Sequence, residues 1–167
     1  MLKKLSTIIL FCLISALAFA QTAPKQILSE RDINNFIANY EKITEAIDTL
    51  GDKYDHIFAE LEDADSEFDM LIKMRSIKMP PEIQNILKAN GLGDNGFEKA
   101  MVIIQGIMVI FMEDEFASLA AESGADPEVA EYLQYVRDSI KPLKDSINSR
   151  DLALLNNKKA ELLELLN

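Results

Sequence analysis

Between Ala100 and Met112 the chain is apolar at every position except Gln105 and Gly106. A run of this kind has three fates: a membrane span, a buried strand, or a helix enclosed by other helices. At about 13 residues it falls short of the roughly 20 that a spanning helix needs. Its Val and Ile content suits a strand. Its flanks, however, Phe97 to Ala100 and Glu113 to Ala121, are good helix formers, and no other stretch offers a partner strand. The run is therefore read as a helix surrounded by others, the centre of an all-α fold, with Gly106 marking a close helix crossing.

The rest of the chain supplies the surrounding helices. Ile33, Phe36, Ile37, Tyr40, Ile43, Ile47 and Leu50 recur at three- and four-residue steps, and Ser29 with Asp32 forms a capping box at their start. Gly51 ends or bends this helix. Tyr54, Ile57, Phe58, Leu61, Phe68, Leu71 and Ile72 then lie on one stripe, predicting a second helix that stops at Pro80-Pro81. Pro81 suits a first helical position, and Ile83, Ile86 and Leu87 give a short helix closed by Asn90-Gly91. Asn95 with Glu98 can cap the central helix, which Gly124 closes. Asp126-Pro127-Glu128 opens the next helix, with the stripe Val129, Leu133, Val136, Ile140, Leu143 and Ile147, and Pro142 is expected to kink or end it near Ser139 to Lys141. A last helix runs from Asn148 or Ser149 with Leu152, Leu155, Leu162 and Leu166 on one side. The expectation is a single compact bundle of five or six helices around a largely buried central one.

The N-terminus carries a different signal. Lys3 and Lys4 precede an apolar run from Leu5 to Leu17, followed by Ala18-Phe19-Ala20 and then polar Gln21, the three parts of a cleavable secretory signal. Residues 1–20 are read as signal peptide, 21–28 as a short flexible tail and 29–167 as the helical bundle domain. The protein is thus expected to be exported, to the periplasm or beyond, with no stable membrane insertion after cleavage. The one cysteine, Cys12, lies inside the signal rather than at its cleavage point, so lipid anchoring is disfavoured and the processed chain has neither disulfide nor thiolate site. The chain has 28 acidic against 17 basic residues, a formal charge of −11, and loss of Lys3 and Lys4 makes it more acidic still. Such a charge disfavours nucleic acid and anionic membrane surfaces as partners.

Candidate sites are few. Asp52, His56 and Glu60 stand one helical turn apart in an acid-rich stretch holding the single histidine, so all three can face one hard cation. Phe68 and Met74 stand where a calcium-binding helix–loop–helix needs Gly and Glu, which excludes that motif, and the plainer reading is a solvated acidic face. Met101, Ile104, Met108 and Phe111 on the central helix would line a cavity for a small apolar ligand, if the core is hollow rather than filled. The C-terminal leucines exceed one narrow stripe, which leaves open a homodimer through that helix. No serine-hydrolase elbow, phosphate-cradling glycine loop or zinc-protease motif occurs, and a processed chain with no cysteine and one histidine leaves little for nucleophilic catalysis. Glu113-Asp114-Glu115 marks where the central helix meets solvent.

The segment Ile86 to Met112, with its turn Lys88-Ala-Asn-Gly-Leu-Gly-Asp-Asn-Gly-Phe97 leading into a long apolar helix, resembles a group of uncharacterised exported all-helical bacterial proteins. Where that group tends to carry Trp after the turn, this chain has Phe97-Glu98. The resemblance implies a helical exported protein and carries over no site residue. The sequence thus points to a non-enzymatic exported protein acting in binding or envelope maintenance, without a cofactor. Its partner is either an unknown protein or a small apolar ligand, and divalent cation binding at the acidic face is a further alternative.

Overall fold

The computed structural model describes residues 23–54, 57, 61, 64–123 and 127–166, and these are predominantly helical with no strand among them. The helices are α1 Glu30–Asp48, α2 Glu67–Met74, α3 Pro81–Ala89, α4 Gly96–Ser123, α5 Pro127–Asp145, α6 Ser149–Asn157 and α7 Lys159–Leu163. Gly51–Tyr54 adds a single helical turn, and Glu164–Leu166 a closing turn of 3-10 helix.

Most helix starts follow from side-chain chemistry. The Ser29 hydroxyl accepts the Asp32 amide while the Asp32 carboxylate accepts the Ser29 amide at 2.9 Å, a reciprocal cap on α1. Pro81 opens α3, where its missing N–H is not needed. Asn90 ends that helix, and Gly91 follows with a φ of +87°. That left-handed backbone turns the chain back, so that the Leu92 amide donates to the Leu87 carbonyl and both side chains are buried.

All six other helices pack against α4. The shared core comprises Ile33 and Phe36 from α1, Leu87 from α3, Ile103 and Val109 from α4, Leu143 from α5, Leu155 from α6 and Leu162 from α7, all essentially without exposure. Burying each contributes about 1.5–3 kcal/mol before entropy is counted. A smaller cluster of Phe116, Leu133 and Ile140 joins α4 to α5.

The helix count departs from the expected five or six, because two predicted helices are interrupted. Ser66 accepts the Asp69 amide and Asp69 accepts the Asp65 amide, so this short polar stretch caps a new helix instead of continuing the old one. Likewise Lys158 leaves helical geometry (φ −111°, ψ 15°) and divides the C-terminal helix into α6 and α7. Pro142 neither ends α5 nor stops it near Ser139 to Lys141: the helix runs on to Asp145. Pro142 has no N–H to give the Asp138 carbonyl, so the helix continues past it with one ladder bond fewer. The central helix is buried mainly up to Ile110, with Phe116 buried beyond it. From Ala117 to Glu122 every residue is exposed. Gly124 and Asp126, expected as the close of α4 and the cap of α5, lie outside the described residues.

Two polar clasps hold elements far apart in sequence. Asp151, 1% exposed in the first turn of α6, accepts the amides of Ile27 and Leu28 at 3.0 Å each, while Asn148 donates to the Pro24 carbonyl. The segment expected as a flexible tail is therefore docked from Pro24 onward, and Leu28 belongs to the core. The second clasp is Arg75, which follows α2. Its Nε donates to Gln105 Oε1 at 2.5 Å and its other nitrogens to the Ser146 carbonyl and hydroxyl, while Gln105 donates to the Leu71 carbonyl. Gln105 is completely buried inside the apolar run, so these bonds are what make it tolerable there.

Candidate functional site

Ile104, Met108 and Phe111 recur at helical spacing on α4 and so share one face of it. That face is not covered. Ile104 is 38% and Phe111 44% exposed, and the C-terminal turn brings Leu166, 54% exposed, alongside them. Together with Tyr40 of α1 and Leu165 they line an apolar hollow of about 180 Å³. Six large hydrophobic side chains are strongly exposed among the described residues, and three of them meet here. Leu119, a fourth, lies two turns further along α4. These neighbouring exposed side chains form one apolar patch on the surface.

The four residues expected around a ligand cavity thus divide. Ile104, Met108 and Phe111 are brought together, on the surface rather than inside. Met101, one helical turn before Ile104, is 4% exposed and does not line the hollow. Tyr40, Leu165 and Leu166 join them from opposite ends of the chain, a meeting without local signature; the excess of C-terminal leucines pointed to exposed apolar surface there but not to this neighbour.

The hollow is small. Sites that enclose a drug-sized ligand span roughly 300–1,000 Å³, whereas a dry cavity of about 150 Å³ holds a benzene molecule. This one accepts a single large side chain. Two roomier hollows are charged and wide open. One, of about 540 Å³, lies between α4 and α5, where Lys144 pairs with Glu113 and Lys141 with Asp145. The other, of about 700 Å³, lies beside Ala23, Pro24 and the start of α6.

Of the candidate cation ligands, His56, Glu60 and the Asp52 side chain lie outside the described residues. Among the described residues no three His, Cys, Asp or Glu side chains gather as a metal site would require. The methionines are dispersed: Met79 and Met101 are buried, Met70 and Met74 half-buried on α2. No described helix is long and apolar enough to cross a membrane.

The titratable groups with clear shifts serve the fold. Burial alone would raise the Asp32 carboxyl, but hydrogen bonds from Lys99 Nζ at 2.7 Å and from Ser29 outweigh it and hold Asp32 below the usual carboxylate value. Glu82, on the surface of α3, is held at about 2 by its hydrogen bonds, first that from Lys53 at 2.9 Å. Burial pushes the Arg75 guanidinium down, partly offset by the charges of Glu98 and Asp151. None of these groups lines the apolar hollow. Comparison with protein-family models, with curated proteins and with solved structures finds no match for this chain.

Proposed function

We propose that the protein is an exported, non-enzymatic helical protein that binds a partner protein through the groove formed by Ile104, Met108, Phe111, Leu165 and Leu166. In this reading residues 1–20 are a signal peptide removed on export, and residues 29–167 act as one bundle domain in the periplasm or outside the cell. The observation that carries the proposal is the meeting of three strongly exposed hydrophobic side chains, from α4 and the C-terminal turn, on one apolar hollow. Water contact with that surface costs about 25 cal/mol per Å², a cost that a docked partner removes. Apart from the Tyr40 hydroxyl, the lining offers no acid, base or nucleophile. Its volume argues for a protruding side chain over a free acyl ligand.

The test is native mass spectrometry of the protein expressed as the full chain in its own host, combined with photo-crosslinking from position 111. The reading expects a protein adduct from position 111 that is lost in Leu166→Asp, and a mass free of small molecules. Extra mass that denaturation releases as lipid would replace this reading by that of an apolar-ligand carrier.

A further inference from the structure

Resting on the reading of this groove as a binding face, we infer that its partner is a protein helix carrying one apolar stripe bordered by lysine or arginine. Size sets the first condition. A hollow of about 180 Å³ takes one Leu or Phe side chain, not a chain of methylenes. The exposed stripe Ile104, Met108 and Phe111, extended by Glu115, covers about three turns of α4, roughly 16 Å, a length that three turns of a partner helix would match.

Charge sets the second condition. Glu115 follows Phe111 by one turn on the same face, and Glu164 adjoins Leu165; both are exposed, and among the described residues no cation pairs with either. The acids beside Glu115 are differently placed, since Asp114 pairs with Lys159 and Glu113 with Lys144. The apolar stripe of α4 therefore runs into an exposed carboxylate at Glu115, unpaired among the described residues, and Glu164 stands next in sequence to Leu165 of the lining. Basic residues flanking the partner's stripe would meet that charge and speed encounter. A chain of net charge −11 repels anionic lipid surfaces. The same net charge opposes close approach of a second copy.

The experiment uses the purified product of the full chain and two synthetic helical peptides with the same leucine stripe, one flanked by lysines and one by glutamates, followed by fluorescence anisotropy. The lysine peptide is expected to bind at least about tenfold more tightly at low salt, and the difference to shrink at high salt. Glu115→Gln with Glu164→Gln should abolish the discrimination. Phe111→Ser should weaken the lysine peptide about thirtyfold, with Ile104→Ser as a second variant and circular dichroism verifying the fold of each.

Equal affinity for the two peptides, still lost in Phe111→Ser, overturns the basic partner and leaves the binding face intact. Binding unaffected by both Phe111→Ser and Ile104→Ser overturns the face itself. A dimer in sedimentation that Phe111→Ser dissociates assigns the groove to a second copy and overturns the inference, as does failure of both peptides to bind.

Discussion

Leu155 Cδ1 occupies the place that a Cβ on Gly106 would need, so α4 and α6 cross with side chain against bare backbone. Leu155 is completely buried, which restricts its escape to another rotamer. Gly106→Ala gains up to about 1 kcal/mol of helix propensity but overpacks this crossing by about 1–3 kcal/mol. A net loss of stability on urea unfolding is expected. Combining it with Leu155→Ala should cost less than the sum of the two single changes, the signature of contacting residues.

Asp151 satisfies two backbone amides from the other end of the chain. Asp151→Ala leaves both without an acceptor, and each unsatisfied buried group costs about 1–3 kcal/mol. Hydrogen exchange should show the Ile27 and Leu28 amides losing protection well before those of α4. Equal loss throughout the chain would mean that the clasp is not locally separable.

Arg75 and Gln105 form one unit. Arg75→Met removes the donor from a buried amide and exposes the Ser146 carbonyl to an apolar neighbour; about 2–4 kcal/mol should be lost. Replacing both, as Arg75→Met with Gln105→Leu, should recover part of that loss, since no half-satisfied network remains. Thermal melts of the three variants decide this.

Acid should weaken the fold through Asp32. Its folded-state value lies below the ordinary one near 3.8. A carboxyl lowered in this way stabilises the fold above its unfolded value, and that contribution disappears as pH falls through the folded value. Unfolding free energy measured from neutral pH downward should therefore drop below about pH 4, and Asp32→Asn should reduce that drop while lowering stability at neutral pH.

The helical class and several boundaries were legible because they depend on local chemistry. Ser29 with Asp32, Pro80-Pro81, Asn90-Gly91 and the crossing at Gly106 all act within a few residues or through the absence of a side chain. The breaks at Ser66 and Lys158 escaped notice because the apolar spacing continues across them, and periodicity does not register a local cap. Gln105 read as an interruption of an apolar run. That it is matched by Arg75, thirty positions earlier, has no local signature. The same holds for the groove: its α4 residues were singled out, but as a cavity lining, and only the packing of the chain ends shows that this face looks outward.

The clasp at Asp151 also has a consequence in time. Its bonds span 123 and 124 positions, so the N-terminal segment cannot reach its native place until residue 151 has been synthesised. Long-range closure of this kind delays completion of folding. Under the proposal that the chain is exported, such a delay keeps it pliable during passage and lets it fasten only once Ile27, Leu28 and Asp151 are all on the far side.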